Sequence, residues 1–179
     1  MILTIGHSTR ALDDFVDMLR ANDVTVLIDI RRFPGSRRQP QFNSESLAAA
    51  LKEAGIEYEH VVELGGRRVP SDGSTNHALR NPQFRGYADH MATPEFQTAL
   101  DRLLERGKTD VLAVMCAEAV PWRCHRSLLA DAITARGVPV EHIIGARNRL
   151  PHRPTKGMRA EGPDVTYPAR DDQPRLPLT

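Results

Sequence analysis

The chain has 179 residues, 40% hydrophobic and 26% charged, with a formal net charge of +1. One globular domain fits that length and composition, and its core can close without disulfides or metal staples. Two cysteines exclude a disulfide scaffold and a four-cysteine metal centre, and a charge near zero excludes a polycation that binds nucleic acid by charge alone. No apolar run approaches the roughly 18 residues of a membrane span. The opening MILTIGHSTR has no basic segment followed by an apolar one, so no secretory signal is expected. The expected location is the cytoplasm, with both thiols reduced.

In chain order, residues 2–5 are a short apolar run ending in Gly6-His7-Ser8, a strand followed by a tight turn. Residues 13–20 carry Phe15, Val16, Met18 and Leu19 at helical spacing. Residues 24–30, broken only by Thr25 and Asp29, read as a buried strand. A loop rich in Pro, Gly, Ser and Arg covers 33–42, and a helix over 44–54 starts at Ser44 as cap and stops at Gly55. Residues 56–62 read as a strand broken by Gly65-Gly66, and 67–87 as a polar insertion without clear period, a lid or rim. A helix over 93–106 follows, with Thr93 as cap, Pro94 in the first turn and Gly107 as stop. Residues 111–115 are a second buried strand ending at Cys116, 124–136 a helix closed by Gly137, and 138–144 the last strand.

Strands alternating with helices predict an α/β fold: one three-layer domain with a mostly parallel sheet and helices on both faces. That domain is expected over 1–146. Residues 147–179 hold 6 of the 13 prolines and seven basic residues against four acidic, which predicts an extended, partly disordered Pro/Arg-rich tail.

Ligands of an open α/β sheet bind outside the carboxyl ends of its strands. Here those ends carry Gly6, His7 and Ser8; Asp29 and Arg31; Cys116 and Glu118. Each has an ordinary alternative: a small buried cysteine, a capping carboxylate, a turn histidine. Three neighbouring strands each ending in a reactive group favour a site. The segment from Met115 to Arg126 runs from a buried strand into a helix N-terminus, a place that attracts anions and lowers a thiol pKa, and Arg123, His125 and Arg126 add charge there. The basic residues are lopsided, 21 Arg to 3 Lys, which codon usage explains as well as a need for phosphate forks does.

Five motifs in order carry a resemblance: Thr4-Ile5-Gly6-His7-Ser8, Asp29-Ile30-Arg31-Arg32-Phe33-Pro34-Gly35-Ser36, Leu64-Gly65-Gly66-Arg67, Phe84-Arg85-Gly86-Tyr87, and Met115-Cys116-Ala117-Glu118 with Cys124-His125-Arg126. The chain resembles the family known as domain of unknown function 488 over residues 1 to about 145. That resemblance implies an α/β fold and a pocket built from the five motifs, and little mechanism. A fainter similarity, through Val26 to Arg31 and Cys116, is to rhodaneses and cysteine-dependent phosphatases. The phosphatase loop places an Arg six residues after its Cys; here Trp122 stands there and Arg123 follows, and Glu118 would repel a phosphate. At the terminus, Gln173-Pro174-Arg175-Leu176-Pro177-Leu178 resembles the bacterial sliding-clamp binding peptide, with Gln173, Leu176 and Leu178 as its contact residues.

The expected function is a nucleic-acid-processing hydrolase of the DNA-glycosylase kind, a DNA-repair enzyme with DNA as its partner and no cofactor. Asp29 and Glu118 supply the carboxylate, with His7 and Cys116 as further reactive groups. Tyr58, Tyr87 and Trp122 offer faces for a flipped base, and Arg31, Arg67, Arg123 and Arg126 hold phosphates beside Gly66, Cys124 and His125. The rival readings are a thiol enzyme with Cys116 as nucleophile and a non-catalytic DNA- or nucleotide-binding module. No metal is expected, because Cys116, Cys124 and His125 in a C-x₇-C-H spacing match no standard zinc pattern.

Overall fold

The computed structural model of the chain describes residues 1–169. Three strands, β1 (Ile2–Gly6), β2 (Val26–Asp29) and β4 (Leu112–Cys116), are buried at every position, as a strand covered on both faces must be. With β3 (Glu57–His60), β5 (Val140–Gly145) and β6 (Asn148–Pro151) they form a six-stranded sheet of order β3-β2-β4-β1-β5-β6. All its pairs are parallel except β5 with β6.

Helices α1 (Leu12–Arg20) and α2 (Ser44–Glu53) pack Phe15, Leu19, Leu47 and Leu51 onto Leu3, Ile5, Leu27 and Met115. Helices α3 (Pro82–Met91), α4 (Pro94–Arg106) and α5 (Arg126–Ala135) cover the opposite face, where Tyr87, Phe96, Leu100 and Leu128 meet Ile2, Ile28, Leu112 and Val114. The chain is therefore a three-layer α/β domain with a mostly parallel sheet. Alternation along the strands decides which side chains meet, because successive residues point to opposite faces.

Local chemistry sets the helix ends. The Thr93 hydroxyl accepts from the Phe96 N–H and Pro94 occupies the first turn of α4. Asn43, one residue before the Ser44 read from sequence, stands at the N-terminus of α2. The polar insertion is half right. Residues 67–81 are irregular and organised by Asp89, whose carboxylate accepts from Ser71, Ser74 and Asn76, but α3 follows, capped by the Asn81 side chain.

The extended tail expected from Arg147 does not hold for the described residues. Strand β6 joins the main sheet, and β7 (Arg159–Glu161) pairs with β8 (Asp164–Thr166) as a hairpin. Tyr167 is fully buried; its hydroxyl donates to Asp131 Oδ2 at 2.7 Å and its N–H to Asn76 Oδ1 at 2.8 Å. Two well-placed apolar residues, Val165 and Tyr167, enter the α3/α5 core despite the proline-rich composition. The packed domain thus runs past 146 to at least Tyr167. Gln173, Leu176 and Leu178 lie outside the described residues.

Candidate functional site

The carboxyl ends of β2 and β4 open into a cleft of about 290 Å³. Its lining comes from three loops and one helix: Arg31, Arg32 and Phe33 after β2; Gly66 and Arg67; Gln83 and Phe84 of α3; and Cys116, Ala117, Glu118, Arg123, Cys124 and His125 between β4 and α5. Glu118 and Arg123 are exposed within it. Phe33, 65% exposed, has two guanidiniums near its ring, with the Arg32 and Arg67 carbons 5.8 and 5.9 Å from its centre.

Beneath the cleft, the Cys116 sulfur lies 2.8 Å from that of Cys124 and 2.9 Å from Arg126 Nη1. Burial pushes the Cys116 thiol up, but the Cys124 hydrogen bond and the Arg126 charge outweigh it and hold it down at about 7. Donating to that sulfur, and burial, push the Cys124 thiol well above its ordinary value. Arg126 itself is 1% exposed and donates to the carbonyls of Ile5, Glu118 and Ala119. It is a clamp on the β4–α5 loop, and the expectation that it holds phosphate fails because the side chain is buried and both terminal nitrogens bond inside the protein.

His125 packs against Gly66, where a Cβ would come within 2.5 Å of Nδ1. Its Nε2 is buried without a partner, and burial followed by the Arg126 charge lowers its pKa to about 4. A neutral imidazole therefore lines the cleft.

Asp29 does not face this cleft. It shares a strand face with Leu27, toward α1 and α2, whereas Cys116 lies with Val114 toward α5. Oδ1 accepts from the Arg31 backbone N–H at 3.0 Å and Nε at 2.9 Å; Oδ2 accepts from Arg31 Nη2 at 2.6 Å and the Tyr58 hydroxyl at 2.7 Å. With four donors and no exposure, this carboxylate has no capacity left for water or substrate. Its role is to orient Arg31, which also donates to the Phe42 carbonyl at 2.8 Å.

His7 belongs to the same cluster, stacked on Phe42 at 4.3 Å and 3.3 Å from Arg31 Nη1. Burial lowers its pKa to about 4. Gly6, His7 and Ser8 abut the cleft through backbone alone: the His7 and Ser8 N–H groups donate to the Cys116 and Ala117 carbonyls at 3.1 and 2.9 Å. A side chain at Gly6 would run into the Glu118 carbonyl, so the glycine permits that close approach.

The aromatic platforms read from sequence are elsewhere. Tyr87 is fully buried with its hydroxyl on the Leu64 carbonyl, Tyr58 serves Asp29, and Trp122 lines a neighbouring cleft. The faces that do line this one, Phe33 and Phe84, were missed as site residues along with Arg32 and Gln83. Phe33 sits in the Arg-rich loop after β2, a signal available from sequence. Among the described residues no cluster of three His, Cys, Asp or Glu is arranged to hold a metal.

Comparison with protein families matches residues 11–133 to one described as domain of unknown function DUF488. Comparison with curated proteins and with solved structures finds no match. The matched segment covers more than half of the chain, so the chain belongs to that family.

Proposed function

We propose that this member of the DUF488 family is a hydrolase acting on nucleic acid, of the kind that releases a base from its sugar in DNA repair. One observation carries the reading: Glu118 is the single carboxylate among the lining residues of a cleft whose exposed cations are Arg32, Arg67 and Arg123, with the buried Arg31 in its wall held by Asp29. Arginine forks suit phosphates, and a free carboxylate beside them suits activation of water or stabilisation of an oxocarbenium-like sugar. Phe33 and Phe84 offer faces for an extruded base. Asp29 supports this chemistry indirectly by fixing Arg31 at the cleft wall.

A second reading has its own observation. Cys116 lines the same cleft with a pKa near 7 and a guanidinium on its sulfur, the environment of a nucleophilic thiolate. The two separate in one experiment, base release from oligonucleotides that each carry a single modified base. Glu118→Gln lowers the rate about 10²-fold or more while Cys116→Ser keeps most of it, a usual acid/base contribution. The reverse pattern installs the thiol, and binding without turnover in any variant leaves a non-catalytic module. In the same reading DNA is the partner, and residues 173–178 tether the enzyme to the sliding clamp; capture by immobilised clamp, lost on deleting 173–179, tests that tether.

A further inference from the structure

Trp122 and Arg123 are consecutive residues of one short 3₁₀ turn, Pro121–Arg123, yet they serve different cavities. Arg123 lines the Glu118 cleft, whereas Trp122 lines a second one of about 680 Å³. Phe84 lines both, so the two are neighbours separated by that ring. Trp122 is 67% exposed, an unusual state for a large aromatic ring with no functional use.

The second cleft has a definite chemistry. Its lining includes the exposed cations Arg153 and Lys156 and no acidic residue, and among the described residues neither cation makes an ion pair. Its histidines, His142 and His152, are consumed by an internal chain. The Thr4 hydroxyl meets His142 Nδ1 at 2.7 Å, His142 Nε2 meets His152 Nδ1 at 3.1 Å, and His152 Nε2 meets Asp131 Oδ1 at 2.8 Å. Asp131 accepts from His152 Nε2–H. All four ring nitrogens are used. What this cleft offers a ligand is aromatic surface and positive charge.

We infer that the second cleft receives a nucleotide unit of the same single strand whose neighbour occupies the Glu118 cleft, with its base against Trp122 and its phosphate on Arg153 and Lys156. The inference rests on the nucleic-acid reading above and extends it to a second subsite. Stacking on an open indole is tolerant of base identity, and cations without acidic neighbours track a backbone rather than a peptide of mixed charge. Continuity favours one occupant for both: the ring of Phe84 would lie between successive bases, with Arg123 lining one cleft and Arg153 the other.

Trp122 is the only tryptophan, so its fluorescence reports this cleft directly. Full-length protein is titrated at low salt with an eight-residue oligothymidylate. The expected result is saturable quenching, about tenfold weaker in an Arg153→Ala/Lys156→Ala variant, with a smaller salt dependence for the two lost phosphate contacts. A labelled oligonucleotide followed by anisotropy shows a similar loss for Trp122→Ala, and all three positions are exposed, so these variants fold. No quenching, quenching indifferent to the two cations, or equal quenching by a polyglutamate peptide overturns the inference. If base release is never observed while the charge-dependent quenching persists, only the catalytic reading falls. Base release without quenching removes the second subsite alone.

Discussion

Cys116 and Arg126 meet at 2.9 Å, sulfur to guanidinium nitrogen, and that nitrogen also donates to the carbonyls of Ile5 and Glu118. One side chain therefore joins β1, the end of β4 and the loop that carries Glu118. The thiolate form of Cys116 is favoured by a group the fold needs in place for structural reasons.

The reactivity of the two thiols should accordingly be unequal. Iodoacetamide labelling followed by mass spectrometry is expected to modify Cys116 first, with a rate that rises through a midpoint near pH 7. In the wild-type protein at pH 8 labelling of Cys116 should exceed that of Cys124 about tenfold, since Cys124 keeps its proton there while Cys116 is present. Labelling of Cys124 ahead of Cys116 would contradict this assignment.

Asp29→Asn should act on stability. The substitution removes the charge that compensates the buried Arg31, and breaking a buried pair from one side costs about 3–5 kcal/mol. Thermal unfolding is expected to show a large drop, with Tyr58→Phe, which removes one donor, costing about 1 kcal/mol. An Asp29→Asn protein with unchanged stability and abolished turnover would restore the carboxylate to catalysis.

Tyr167→Phe tests whether the segment after β6 is part of the fold. It leaves the buried Asp131 with one donor fewer, a loss of about 1–3 kcal/mol, and about 2–4 °C of melting temperature goes with each kcal/mol at this size. A loose arm predicts no change in the same calorimetric scan.

Stability should fall on mild acidification. His7, His125 and His142 each have a folded pKa near 4, below the ordinary 6.5, chiefly through burial. Between those values the unfolded chain binds the extra protons, so stability is full above pH 6.5 and declines toward pH 4. Each histidine steepens the slope by up to about 1.4 kcal/mol per pH unit. Urea midpoints measured from pH 7 to pH 4.5 should fall, and less steeply in His142→Gln than in wild type. A flat profile would mean that these rings are protonated in the folded protein.

The strands and most helices were legible because burial on both faces of a parallel sheet writes itself as apolar runs, as in residues 111–115. The strand-end rule likewise led to Cys116, Glu118 and Arg31. The standing of Asp29 was half legible. Its alternation with Ile28 and Ile30 puts it opposite them, but only tertiary packing shows that Arg31 curls back onto it and Tyr58 reaches across from β3. Helix α3 carries Phe84, Tyr87, Ala88 and Met91 at helical spacing, a signal masked by the glycine and polar residues between them. The packing of Tyr167 left no local trace, since its partners Asn76 and Asp131 are 91 and 36 residues away.

The sheet order bears on how the chain is made. Strand β1 leaves the ribosome before β2 and β3, yet both strands that pair with it come later still: Leu3 aligns with Ala113 and Glu141. Until residue 111 is synthesised, β2 and β3 can zip together, but residues 2–6 have no hydrogen-bonding neighbour in this sheet. An apolar segment must therefore be kept from straying until β4 slots between β1 and β2. Nascent chains stalled before residue 111 should for that reason depend on chaperone holding, and release from it should coincide with the arrival of the segment that brings Cys116.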